Sequence, residues 1–270
     1  MTGWGLAAGD EVVPGRVVHR LLGGGWSYEA YLVFDEELHH GAVAKMLRPG
    51  RVGDQGARDG LAREARILDS LRHPVIVRSL DAVLDGDRPH LLLEHLEGPR
   101  LSSLVRRHGP LAPEQLLPLA LELASALHYL SRRSLVHLDV KPGNVVMGAP
   151  ARLIDLSVAR SVEEAAGLRH VVGTDGYLSP EQAAPSAGAV GTAADVYGLG
   201  ATLFYASTGR APRGPELADG VPWVVAELVL GCLAPRPTDR PTPAEVAAAV
   251  EPLIARLPRP VLAGFRPSPR

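Results

Sequence analysis

The chain changes character near Gly98. Ahead of that point, short apolar and β-branched runs are broken by Gly, Pro and Asp, the pattern of strands joined by tight turns. Residues 17–22, 29–34 and 41–47 are three such runs, the last bounded by Pro49-Gly50. Residues 75–83 and 90–96, split by Asp85-Gly86-Asp87, predict a further strand pair. Between the two groups, Leu61, Ala65, Leu68 and Leu71 recur at helical spacing, so a helix is expected over about 57–71. It should stop before His73-Pro74, because proline disfavours the helical conformation in the residue ahead of it. Beyond Gly98 the pattern is mostly helical. Residues 112–132 open with Pro113 near the first helical position, and the internal Pro118 is expected to kink the helix or delay its start. Residues 192–208, 222–233 and 243–257 predict helices, and 144–147 and 152–154 short strands. The tail, 258–270, has four prolines, three arginines and no acid, and is expected to be disordered.

Composition narrows the setting. The chain has 270 residues, 46% of them hydrophobic, enough for one large domain or two small lobes with a sizeable core. A formal net charge of −2 creates no global field toward nucleic acid or anionic membrane. No apolar run reaches the roughly 18 residues of a membrane span. The first 18 residues contain Asp10 and Glu11 and no long apolar stretch, unlike a signal peptide. The single cysteine, Cys232, cannot form an internal disulfide, which fits a reducing compartment. The expectation is a soluble cytoplasmic protein with no nucleic-acid partner.

Of 28 basic residues only two, Lys45 and Lys141, are lysine. Lysine is a compact point charge on a flexible stem, not equivalent to arginine's planar fork at a tight phosphate site. Lys45 ends Ala42-Val43-Ala44-Lys45. Lys141 lies in His137-Leu138-Asp139-Val140-Lys141-Pro142-Gly143-Asn144. That second run supplies a carboxylate, an ammonium and a carboxamide, and Asp155-Leu156-Ser157 follows. Phosphoryl transfer needs these groups: cover over the phosphates, a cation on them, oxygen ligands for Mg²⁺, and a carboxylate aimed at the attacking hydroxyl. Gly23-Gly24-Gly25-Trp26-Ser27-Tyr28-Glu29-Ala30 offers the cover, although a glycine-rich hairpin turn explains that run equally well.

In this order the motifs resemble those of the bacterial-type, eukaryotic-like serine/threonine protein kinases, over about residues 13–257. The resemblance implies an α+β, bilobal fold. A small antiparallel-sheet lobe with one main helix (about 13–95) precedes a hinge (about 94–99, with Leu96-Glu97-Gly98-Pro99) and a larger, mostly helical lobe (about 100–257). Residues 1–257 would form the kinase domain and 258–270 the tail. It implies ATP with Mg²⁺, or Mn²⁺, as cofactors, and a protein serine or threonine as acceptor. By the same resemblance, Leu22, Gly23, Gly25, Ala30, Val43, Leu93, Glu94, Leu96 and Val146 would line the nucleotide pocket, with Leu93 as gatekeeper and the Glu94 C=O and Leu96 N–H meeting the adenine edge. Lys45, paired with Glu64, would hold the α/β-phosphates. Asp139 would take the catalytic carboxylate role, Lys141 the γ-phosphate charge, and Asn144 and Asp155 the metal. Thr174 would bond toward Asp139, Glu181 pair with Arg240, and Asp195 brace the catalytic loop.

Several positions depart from the family pattern. Tyr28 replaces the third loop glycine. Ala30 and Val43 exchange the sizes usual at their two positions, which would preserve the depth of the pocket roof. Ser157 replaces a glycine, predicting less inward–outward switching of Asp155. Leu156 is expected to stack with His137, Leu80 and Leu68. Leu138 stands where kinases switched by loop phosphorylation carry arginine, and no Ser, Thr or Tyr lies between Ser161 and Thr174. Activity independent of phosphorylation in that loop follows as an expectation. The stretch between Pro212 and Pro222 is also shorter than the family usually allows. Two other readings stay open: a nucleotide-binding pseudokinase scaffold, and a small-molecule phosphotransferase of the kinase-like fold.

Overall fold

The computed structural model describes residues 2–185, 188–212 and 223–257. The expected disordered tail and most of the shortened stretch before Pro222 lie outside the described residues. The chain begins with three antiparallel strands, β1 (Arg16–Gly24), β2 (Tyr28–Asp35) and β3 (His40–Leu47). Helix α1 (Gln55–Ser70) follows, then β4 (Ser79–Val83) and β5 (His90–Glu94), giving a five-stranded sheet in the order β1-β2-β3-β5-β4. The α+β class expected from the sequence is the class observed.

The period-2 alternation of the strands gives this sheet two faces. Tyr31, Val33, Ala42, Ala44 and Met46 point to one side, where Trp4, Leu6, Val12 and Val13 of the N-terminal segment cover them. Val43 and Leu47 point to the other, against α1 and the main core, and Lys45 shares that side by register. Helix α1 is capped by Asp54, whose side chain accepts the Ala57 N–H. Its buried stripe is Leu61, Glu64, Ala65 and Leu68. A carboxylate on an otherwise apolar stripe needs a partner, since burying an unpaired charge is prohibitive.

The large lobe comprises α2 (Leu101–His108), α3 (Pro113–Ser131), β6 (Leu135–Val136), β7 (Val145–Val146), β8 (Arg152–Leu153), β9 (Arg160–Ser161), α4 (Val162–Ala166), α5 (Pro180–Ala183), α6 (Thr192–Thr208), α7 (Trp223–Cys232) and α8 (Pro243–Ile254). Helix α3 buries Leu116, Leu119, Leu123, Leu127 and Leu130 against its neighbours. Each such side chain contributes about 1.5–3 kcal/mol. The start of α3 is not delayed: it begins at Pro113 and runs through Pro118, which removes one helical donor without ending the helix. No helix among the described residues is long and apolar enough to cross a membrane.

Two local expectations are corrected. The run 75–83 is not one strand. Val75 to Val77 leave the sheet and bond instead to the large lobe, Leu153 N–H to Val75 O (2.6 Å) and Val77 N–H to Leu153 O (3.0 Å), and only Ser79–Val83 pairs with β5. Leu80 is 42% exposed, so it does not join the buried Leu156, His137 and Leu68. An irregularity in the β4–β5 register between Ser79 and Asp81 accompanies its outward placement. At the connection between lobes Gly98 has φ +129°, and a β-carbon there would lie 1.9 Å from the Met147 carbonyl oxygen, so only glycine fits.

Candidate active site

A cavity of about 900 Å³ opens between the lobes. Leu22, Gly23, Gly25, Tyr28, Ala30 and Val43 line it from β1–β3, and Leu93, Glu94 and Leu96 from the connection. Val146, Lys141, Asn144 and Asp155 line it from the large lobe, and Lys45 completes it. The exchanged pair Ala30 and Val43 both face this space. The Glu94 carboxylate has a further role that the sequence did not reveal. It accepts from the Arg78 N–H (2.8 Å) and from Arg152 (3.1 Å), tying the end of β5 to β8 across the connection.

Lys45, on β3, meets Glu64, on α1, and Asp155, far along the chain. Its Nζ donates to Glu64 Oε1 and Oε2 (2.8 and 2.7 Å) and to Asp155 Oδ1 (2.7 Å). The Leu156 N–H also donates to Glu64 Oε1, at 3.1 Å. One ammonium thus serves two carboxylates. Burial alone would lower the Lys45 pKa, but Asp155 and Glu64 outweigh it and hold the amine charged well above its ordinary value. Burial would raise Asp155 too, yet Lys45, with help from Ser157, pulls it well below the usual carboxylate range. Glu64 moves the other way: desolvation pushes it up, Asp155 adds to the push, and Lys45 opposes. The cluster carries one more negative than positive charge, and Asp155, 36% exposed, presents the excess to the cleft. Tyr28 packs beside the cluster, with the Lys45 Nζ 4.7 Å from its ring centroid, and burial pushes the phenol up to about 12.

The loop after β6 carries the second group. Asp139 Oδ2 accepts from Lys141 Nζ (2.6 Å) and from Asn144 Nδ2 (2.9 Å), and Asp139 Oδ1 accepts from Thr174 Oγ1 (2.7 Å). Lys141 also donates to Thr174 Oγ1. The loop is held from below by Asp195 in the first turn of α6, whose carboxylate accepts the His137 N–H (2.7 Å) and the Leu138 N–H (2.8 Å). This bracing fixes Leu138 in a left-handed conformation (φ 67°), rare away from glycine and one that needs surrounding contacts to persist; Asp155 (φ 66°) shares it, held by Lys45.

Leu138 is buried in an apolar cluster with Val136, Ala165, Leu168, Val190 and Ala194. The segment beyond Asp155 therefore docks on the loop that carries Asp139 by apolar contact. Its short helix α4 is fixed by a capping box in which Ser161 and Glu164 bond reciprocally to each other's backbone N–H. A second box, Ser179 with Gln182, caps α5, and Gln182 Nε2 donates to the carbonyls of Leu138 and Val172 (both 2.9 Å). Gln182 went unremarked in the sequence, although Ser179-Pro180-Glu181-Gln182 has the capping-box spacing. Nearby, Arg240 forks onto Glu181 at 2.6 and 2.8 Å and also donates to the carbonyls of Ala234, Ala193 and Pro235. Of the residues expected at the site, Glu64, Asp139 and Thr174 lie behind the cavity wall, bonded to Lys45 and Lys141 that line it, and Glu181, Asp195 and Arg240 also do not line it.

The residues fit a hydrated divalent cation with a phosphate chain. Among the described residues no group of three or more His, Cys, Asp or Glu is placed to cage a metal. Asn144 commits its nitrogen to Asp139, which leaves its oxygen, together with the Asp155 carboxylate, as the donor set. Two oxygen ligands and an excess negative charge suit Mg²⁺, which keeps waters and takes substrate phosphates.

The family model for the protein kinase domain matches residues 16–221, and the chain belongs to that family. It is 35% identical over 218 residues to the serine/threonine-protein kinase pkn2 of Myxococcus xanthus, covering 77% of this chain and 26% of that protein. Against the serine/threonine-protein kinase PknB of Mycobacterium leprae identity is 31% over 201 residues, 71% of this chain and 32% of the relative. The probable serine/threonine-protein kinase PkwA of Thermomonospora curvata is 34% identical over 265 residues, 90% of this chain and 35% of the relative. The chain thus spans between 26% and 35% of the length of these curated relatives. Protein kinases as a family use ATP and Mg²⁺.

Proposed function

We propose that this chain is a serine/threonine protein kinase, acting in the cytoplasm, with residues 1–257 forming its kinase domain. The observation that carries the reading is that Lys45 and Asp155 line one cleft together with Lys141 and Asn144, the first two backed by Glu64 and the second two by Asp139 and Thr174. Mg·ATP, with Mn²⁺ able to replace Mg²⁺, supplies the phosphoryl group and neutralises charge on its oxygens. The chain's own residues position and stabilise. Leu22, Ala30, Val43, Leu93 and Val146 hold the base, with the backbone of Glu94 and Leu96 at its edge, and Gly23 and Gly25 let the loop approach the phosphates. Lys45, fixed by Glu64, contacts the first phosphates. Asn144 and Asp155 hold the cation. Asp139 accepts a hydrogen bond from the acceptor hydroxyl and orients it, while Lys141 faces the phosphoryl oxygens.

The segment from Asp155 to Thr174 is ordered by the Leu138 cluster and the Ser161–Glu164 box in place of an arginine–phosphate pair, so transfer does not depend on phosphorylation there. Ser157, whose side chain supports the inward Asp155, restricts its switching.

A transfer assay with generic protein and small-molecule acceptors tests this. Protein phosphoserine or phosphothreonine formed by the wild type and lost in Asp139→Asn is the expected result. Transfer only to small molecules, or nucleotide binding with no turnover, overturns it. Phosphatase-treated protein should keep its rate; a lost rate with a modified residue mapped to the loop removes the second part.

A further inference from the structure

We propose that Tyr28 is a positioning residue for Lys45: its ring face packs against the ammonium beside Glu64 and Asp155 and fixes it for a polyphosphate ligand. In the kinase reading this position belongs to the phosphate-covering loop, so the proposal deepens that reading. Three observations carry it. The Lys45 Nζ stands 4.7 Å from the Tyr28 ring centroid, within range of a cation–π contact, which strengthens when the partners are shielded from water. The ring packs partly buried against the main core and lines the cleft beside Lys45. The hydroxyl end of the ring reaches α1 one turn before Glu64: a β-carbon on Gly60 would stand 3.4 Å from the Tyr28 oxygen, an ordinary packing distance.

The loop that carries Tyr28 is itself fastened. Gly25 N–H bonds to Tyr28 O (2.9 Å), Arg48 N–H to Ser27 O (2.9 Å), and Arg48 Nε to Gly25 O (2.8 Å). A glycine at position 28 would leave the ammonium open to water on that side. The tyrosine adds a fixed apolar wall, lowering the local dielectric and tightening the contacts Lys45 makes.

The two lysines make the test clean. In nucleotide-free protein labelled with ¹³C-lysine, two ε-CH₂ signals are expected, one shifted upfield by several tenths of a part per million by the Tyr28 ring current. Tyr28→Leu should remove that shift and raise the KM for ATP roughly tenfold, the size of a desolvated cation–π contact, with a much smaller change in kcat. Tyr28→Phe should rescue both readouts. Two ordinary lysine signals in the wild type overturn the proposal with no variant needed. So does tighter ATP binding in Tyr28→Leu, which would make the ring an obstruction. The spectrum is read without turnover, so an inactive wild type would count against the kinase reading and leave this one standing.

Discussion

Two buried ion pairs divide the labour of this molecule, and they are built differently. Arg240 and Glu181 form a closed pair. The guanidinium is fully buried, its charge is matched one to one, and its N–H groups are taken by the two Glu181 oxygens and three backbone carbonyls. Lys45 sits in an open cluster, one cation against two carboxylates, with Asp155 36% exposed to the cleft. The closed pair has nothing left to offer a ligand. The open one has an unbalanced negative charge, and a cation entering the cleft completes it. Charge balance and saturation of donors, more than burial, distinguish the pair that supports from the pair that works.

The largest expected effect breaks the comparison at its open end. Asp155→Asn removes the excess charge and the carboxylate proposed to hold the cation, while leaving Lys45 on Glu64. Phosphoryl transfer should fall about a hundredfold or more, while thermal stability falls only modestly, because the ionised Asp155 that Lys45 holds below its ordinary value favours the folded state. A drop in melting temperature as large as that of a core cavity would show that Asp155 serves the fold instead. At the closed end the weight shifts from activity to stability. Arg240→Ala leaves Glu181 buried and unpaired, for which the expected loss is about 3–5 kcal/mol of stability in a denaturant titration. Arg240→Lys should recover little, because an ammonium cannot reproduce the fork and its carbonyl contacts. A full rescue by lysine would mean that charge alone, not donor saturation, defines this pair.

What the sequence revealed follows the same physical line. The strands and α1 were legible because alternation and helical spacing are local, and the motif order that marks the family is a property of sequence alone. Side-chain direction and long-range pairing were not. Val75 to Val77 look like any strand, and only Leu153, some 76 residues on, draws them out of the sheet. Leu80 has the composition of a core residue, but the register irregularity beside it places it outward. The short pairing of β6 with β9 is only two residues a strand, too brief to leave a period. Trp4, which bonds Glu29 Oε2 through its N–H (2.9 Å) and Leu47 O through Nε1 (2.7 Å), seals the outer face of the sheet from a stretch with no pattern of its own. At the site, Tyr28 was readable as a missing glycine, but not as a ring over Lys45. Leu138 was readable as a missing arginine, while the apolar cluster it joins needs residues from α4 and α6.

The smallest expected effect is also the sharpest, because Glu181 and Glu64 should titrate with opposite sign. Burial would raise Glu181, yet its Arg240 hydrogen bond brings it below the ordinary Glu value of 4.5. Its ionised form therefore stabilises the fold fully above 4.5, and that contribution is lost as pH falls below 4.5 toward its depressed folded value. Glu64 is raised above 4.5, chiefly by desolvation, so the folded state holds its proton better than the unfolded chain does. Its contribution grows as pH falls from its raised value to 4.5 and is flat below. Stability measured against pH in the wild type sums the two. Glu181→Gln should flatten the decline below 4.5, whereas Glu64→Gln should steepen the decline met just above 4.5 by removing the group that opposes it. Equal slopes in all three proteins would mean that the open cluster and the closed pair hold their carboxylates alike, and the distinction between them would have to rest on geometry alone.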